Sequence, residues 1–147
     1  MSARVTGTGT KITIIAIPTF PAGVTISQFP DDQDPVSFGN QDIAEVAMGV
    51  NGDMIVWDRP SVINITLSVI PGTEDDKNLG ILFDMNRVAK NKVSAQDKIT
   101  MTVTSPGSDP KTYTGGAIIG GPAGDTVNGN TRRQTKQYFF AFENKIN

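Results

Sequence analysis

The stretch Asp42–Met85, DIAEVAMGVNGDMIVWDRPSVINITLSVIPGTEDDKNLGILFDM, decides the fold. Asn51-Gly52 lies between two apolar, β-branched runs. This is a strong hairpin signal, because a two-residue turn that matches strand twist needs positive φ at both central positions. Beyond Pro60, the run Val62–Ile70 places Ile63, Ile65, Leu67 and Val69 on one face and Asn64, Thr66 and Ser68 on the other, the period of a half-buried strand. Pro71-Gly72 ends that strand. Thr73 is placed to cap a helix, with Glu74, Asp75 and Asp76 in the first turn, where negative charge suits the free amides. Leu79, Leu82, Phe83 and Asn86 recur at helical spacing, so a helix expected over about residues 73–88 has one stripe to bury. The stretch reads as a sheet with a single helix laid against it.

On the upstream side, Lys11–Ile17 is a β-branched strand and Val24–Phe29 a second, short one. Pro18–Gln41 as a whole is proline-punctuated and polar, and reads as a long loop that extends around Val36–Phe38. Segments of this kind in compact domains are usually functional or disordered. Residues 1–10 are expected to form a flexible N-terminal arm. Downstream, Lys98–Thr104 alternates Ile99, Met101 and Val103 with threonines. Thr112–Ile119 carries Gly115 and Gly116 inside a strand-like run, which implies a bulge or a close approach by another backbone. Gly120–Arg133 is a glycine- and asparagine-rich loop, and Gln134–Phe142 a final aromatic strand. The expected class is mainly β: a β-sandwich or small barrel of about eight strands with one flanking α-helix, in a single domain.

Composition narrows the function. The 147 residues include no cysteine and no histidine. Disulfides and thiolate chemistry are excluded, and the commonest metal ligand and general base near neutral pH is missing. A net charge of -2 and a pI near 5.0 argue against a protein that grips nucleic acid through a basic patch. No apolar run approaches the roughly 20 residues that cross a bilayer. The start MSARVTGTG lacks the apolar core of a secretory signal, so the expected product is soluble and made without export through the general pathway.

Catalytic fragments are weak. Asp31, Asp32 and Asp34 could hold calcium, but their spacing matches no known loop motif, and acidic residues beside prolines read as a solvated loop. Gly120–Gly129 has no following Lys-Ser/Thr with which to cradle phosphate. Asp53 and Asp58 flank the strand bearing Trp57, and paired carboxylates can hydrolyse glycosides, yet a turn residue and a strand end is the plainer reading. A serine or threonine nucleophile would need a lysine or N-terminal base, and nothing marks one. No enzyme activity, cofactor or metal is expected. Arg132-Arg133 with Lys136 is the sole basic cluster, suited to acidic groups on a neighbouring subunit. Trp57 reads equally as a core or rim residue and as an interface anchor.

The order of these elements resembles the tail tube proteins of contractile-tailed bacteriophages. The matching residues are the Gly49–Trp57 hairpin, the alternating strand Val62–Ile70, Thr73–Phe83 with Asn78 and Leu79 opening the helix, then KITMTVT and the C-terminal aromatic strand. Pro18–Gln41 has no counterpart in that pattern. The resemblance implies a structural virion protein whose hexameric rings stack into the hollow tail tube that conducts phage DNA into the host. Its implied partners are further copies of itself, tail sheath, and baseplate or tube-terminator proteins. Double-stranded DNA would pass without specific binding, and no membrane is involved. The implied location is the phage tail, assembled in the host cytoplasm. The candidate contacts between subunits and rings are Asp31, Asp32, Asp34, Phe38, Asn51, Gly52, Trp57, Arg132 and Arg133. The two arms, Met1–Thr10 and Glu143–Asn147, would add contacts across rings. The candidate lumen-facing residues are Asn64, Thr66, Ser68, Thr100 and Thr102, uncharged side chains to which a DNA backbone does not adhere. The helix would lie outside and the strands would line the bore. A type VI secretion ring protein or a tube-initiator at a baseplate would share this fold. From a different class, a carbohydrate-binding β-sandwich would use Trp57, Tyr113 and Tyr138 as stacking residues.

Overall fold

In Lys11–Ile17 (β1) every second side chain, Ile12, Ile14 and Ala16, is fully buried while its neighbours face out. That alternation is what a sheet with one covered face requires. The computed structural model describes residues 10–30, 35–107, 109–122 and 135–146. The expectations for the first nine residues, for Asp31, Asp32 and Asp34, and for Arg132 and Arg133 lie outside the described residues.

The expected strand at Val24–Phe29 instead runs over Phe20–Ile26 (β2) and pairs antiparallel with β1. The PTFPAG segment, expected to turn, is thus mostly strand. Pro21 and Gly23 are tolerated there because β2 is an edge, where one row of backbone groups needs no partner. Val36–Phe38 (β3) is also a strand, so Pro18–Gln41 is not a loop throughout. Ala44–Met48 (β4) and Met54–Asp58 (β5) form a separate hairpin. Ile63–Val69 (β6) leads into the helix Glu74–Asn86 (α1), followed by Lys98–Thr104 (β7), Lys111–Gly120 (β8), Lys136–Phe142 (β9) and the short Asn144–Lys145 (β10). The large sheet runs β2-β1-β7-β8-β9-β6-β3, with β10 continuing beside β8. Mainly β with one flanking helix is the architecture. The main departures from the expected strand set are β10 and the detached hairpin.

The sheet curls, because residues from both of its ends meet in one core. Ile12 and Ile14 of β1 and Ile26 of β2 pack in the same cluster as Ile65, Leu67 and Val69 of β6, with Phe140 and Phe142 of β9 among them. At the rim the Ile70 amide donates to Gln28 O, joining the end of β6 to the end of β2. Gly115 and Gly116 let β8 pass the last strand closely. A Cβ on Gly116 would lie 2.2 Å from the Phe142 ring, and one on Gly115 would lie 2.3 Å from Glu143 Cγ. The close approach expected at this pair is therefore to side chains, not to backbone.

The helix closes one end of the core with Leu79 and Leu82. Thr73 caps it: its hydroxyl accepts from the Asp76 amide at 3.3 Å and donates to Ile70 O at 2.8 Å. Asp75 and Asp76 do more than favour the helix dipole. Asp75 Oδ2 accepts from the Ser27 and Gln28 amides, both at 2.9 Å, and so fixes the chain leaving β2. Asp76 accepts from Tyr138, Lys136 and the Gly72 amide. At the other end Asn86 and the buried Asp97 bond each other twice, and Asp97 also takes the Thr19 amide at the β1–β2 turn at 3.0 Å. Lys92 Nζ donates to the free carbonyls of Asp84 and Arg87, in place of the basic residues that the last turn lacks. The two termini of α1 thus tie the turns around it to the sheet.

Candidate assembly surface

The β4–β5 hairpin stands off the core. None of its side chains belongs to the buried cluster, and almost all of them are exposed. Its register pairs Ala44 with Asp58, Val46 with Val56, and Met48 with Met54 on one face, and Glu45 with Trp57 and Ala47 with Ile55 on the other. Both faces are apolar. On the first, Val46 is 64% exposed and Met48 68%. On the second, Trp57 is 51% exposed, beside the Arg59–Glu45 ion pair. A two-stranded hairpin alone in water is marginally stable at best, so two apolar faces on one hairpin call for a covering partner.

The turn differs from the expected two-residue form. The Gly49 amide donates to Asp53 O at 2.7 Å and the Gly52 amide to Gly49 O at 3.0 Å. Gly52 alone in this turn has positive φ, at 87°. The loop is therefore Val50–Gly52 closed by a left-handed glycine, the three-residue alternative, which requires positive φ only at its last position. Asn51 and Gly52 form the exposed tip.

The remaining sequence candidates sort by location. Phe38 lies on the β3 edge with its ring 5.6 Å from that of Tyr113, far from the hairpin tip in sequence and on a different sheet. Thr100 and Thr102 lie on the face of β7 opposite the core, and Asn64 and Thr66 on the corresponding face of β6. Pairing continues this face into a row that the sequence does not display: Thr25, Thr13, Thr102 and Thr112 stand abreast on β2, β1, β7 and β8. The hydroxyls of Thr102 and Thr112 are 3.4 Å apart. Ser68 departs from the expectation. It is 1% exposed, where the chain entering β3 approaches and Pro35 O accepts the Ser68 amide. The face is also less polar than expected, since Ile15 pairs with Thr100 and Phe139 with Thr66, and both apolar residues are exposed.

The stacking set for a carbohydrate does not form. Tyr113 and Tyr138 are core residues, and the Tyr138 hydroxyl is committed to Asp76. Burial raises the Tyr113 phenol above its ordinary value of 10.0, since the phenolate would lose its hydration. Asp53 and Asp58 sit exposed on the hairpin with no cleft between them. A hollow of about 480 Å3 beside the helix end is lined by Asn86, Asp97 and Lys98 among others, but the Asp97 carboxylate there is already engaged by Thr19 and Asn86.

Residues 3–146 match the family described as tail fiber protein gp32. No curated protein matches. Among solved structures, the fold is similar to a chain in the cryo-EM structure of the anti-feeding prophage baseplate, six-fold symmetrised. The TM-score is 0.57 at 12% identity, covering 99% of this chain and 96% of that one. A chain in the sheath/tube terminator of an extracellular contractile injection system, in its extended state, aligns with a TM-score of 0.46 at 12% identity, covering 92% of this chain and 91% of that one. The resemblance to tail tube proteins thus holds at the coarser level of a tail protein. The chain belongs to the tail fiber protein gp32 family and is a structural component of a phage-type tail.

Proposed function

We propose that this protein forms hexameric rings that stack into the hollow tail tube through which phage DNA passes to the host. The observation that carries the reading is the β4–β5 hairpin, exposed and apolar on both faces, which a monomer leaves uncovered. Two sheet edges, β2 and β3, are open as well. Edges of this kind are templates for further strands, and a ring removes them by pairing identical neighbours. A head-to-tail contact that closes gives a ring, and one that does not close gives a filament; a tube uses both. The threonine face supports the bore: uncharged hydroxyls on an acidic chain offer a DNA backbone no cation to bind. In this reading Asn64, Thr66, Thr100 and Thr102 line the lumen, Asn51, Gly52 and Trp57 belong to contacts between copies, and tail sheath, baseplate and terminator proteins are its neighbours.

A ring at the baseplate is the second reading, favoured by the fold shared with a baseplate chain. Electron microscopy of the purified protein separates the two. Long hollow tubes of uniform width are expected, discrete single rings would favour the baseplate reading, and a monodisperse monomer at high concentration would overturn both.

A further inference from the structure

The hairpin is not the only apolar surface left without a partner. The outer side of α1 carries Ile81 and Met85, each about half exposed, and Val88 just past its end is 71% exposed. These residues lie opposite the stripe formed by Leu79 and Leu82, so α1 has a buried apolar face and an open one. The open stripe is bracketed by Lys77 at its start and Lys90 after its end. On the hairpin, the face formed by Val46, Met48, Met54 and Val56 is bracketed by Asp53 at the tip and Asp58 at the base. None of these four charged side chains has an ion-pair or hydrogen-bond partner among the described residues. The dimensions agree: Ile81 and Met85 are ~6 Å apart along a helix axis, and Met54 and Val56 ~7 Å apart along a strand. One surface is apolar between two cations and the other apolar between two carboxylates.

From this complementarity we infer that the Val46–Val56 face of the hairpin docks on the outer stripe of α1 of a second copy of the chain. The inference rests on the assembly reading above and names the surface that the hairpin covers. Apolar burial supplies the driving force, and the charges at the two ends set the register and reject a shifted docking. Hairpin and helix belong to one chain but face different neighbours, so the contact is head-to-tail and propagates from copy to copy.

The absence of cysteine makes the test clean, because any disulfide reports an introduced pair. The Val46→Cys/Met85→Cys double variant, assembled and then mildly oxidised, is expected to give a ladder of covalent multimers on denaturing gels. The Val46→Cys single variant is expected to give none. Dimers from Val46→Cys alone would mean that hairpins pair with each other, and no ladder from intact assemblies would mean that the hairpin docks elsewhere; either result overturns the inference and leaves the assembly reading standing. Failure of the unsubstituted protein to assemble would sink both. A charge exchange gives an independent check. Asp53→Lys/Asp58→Lys is expected to raise the concentration needed for assembly by about tenfold, and adding Lys77→Asp/Lys90→Asp in the same chain to restore it. Absence of rescue in a variant that unfolds at the native temperature would overturn the docking.

Discussion

The Tyr138 hydroxyl donates to Asp76 Oδ1 at 3.0 Å, joining β9 to the first turn of α1 across 62 residues of sequence. Lys136 reaches the other carboxylate oxygen at 3.1 Å, and the Gly72 amide bonds the same oxygen at 3.0 Å. A buried carboxylate with several donors is costly to disturb, because removing a donor leaves the acceptor desolvated and short of a partner. Tyr138→Phe is expected to lower the unfolding free energy by about 1–3 kcal/mol. Asp76→Ala, which strands the lysine, is expected to cost about 3 kcal/mol or more. Urea denaturation followed by circular dichroism measures both.

Two glycines should respond in opposite directions. Gly116→Ala drives a methyl group into the Phe142 ring, 2.2 Å from the new Cβ, and overpacking of this kind costs about 1–3 kcal/mol. Gly80, in the helix, has only the Tyr138 hydroxyl near, at 3.7 Å. Gly80→Ala is therefore expected to stabilise by about 0.5–1 kcal/mol through reduced backbone entropy. The same denaturation series reports the two signs.

Thr73→Ala removes the acceptor for the Asp76 amide and the donor to Ile70 O. The expected loss is about 1 kcal/mol, the usual cost of a helix N-cap. Thr73→Ser keeps the oxygen and should retain most of the stability, a contrast that separates capping from packing of the methyl group.

Burial holds the Tyr113 phenol above its ordinary value of 10.0. The folded state therefore binds this proton more tightly than the unfolded chain. The contribution to stability is complete below the unfolded value and is lost as pH rises from there through the raised folded value. Ultraviolet titration of the native protein should show a phenol ionising above 10.0 that is missing from Tyr113→Phe. Ionisation of both tyrosines at the ordinary value in the folded protein would contradict the burial of this ring.

What the sequence disclosed was mostly local. The alternation from Ile63 to Val69 and the Thr73 cap depend on neighbours a few residues away, and both elements formed within a residue or two of their expected bounds. Strand β2 was hidden because Pro21 and Gly23 resemble a turn. They become strand only at a sheet edge, with the preceding turn held by Asp97 from 78 positions away. The roles of Asp75 and Asp76 as anchors for distant amides and a distant phenol were likewise invisible to spacing. Tyr113 and Tyr138 were eligible as stacking residues only because exposure cannot be read from residue type. At the assembly surface, Asn51-Gly52 marked the hairpin and Trp57 one of its faces. That both faces stay uncovered follows from where the chain places the hairpin relative to the core, and no local pattern encodes that.

The most direct test of the hairpin as the element of assembly is sedimentation velocity of Val46→Lys/Val56→Lys beside the unsubstituted protein. These side chains touch none of the buried cluster, so the variant should keep its circular dichroism spectrum and unfolding midpoint. It is expected to sediment as a folded monomer at concentrations where the unsubstituted chain forms large assemblies. Assemblies of unchanged size from the variant would contradict the role given to the hairpin.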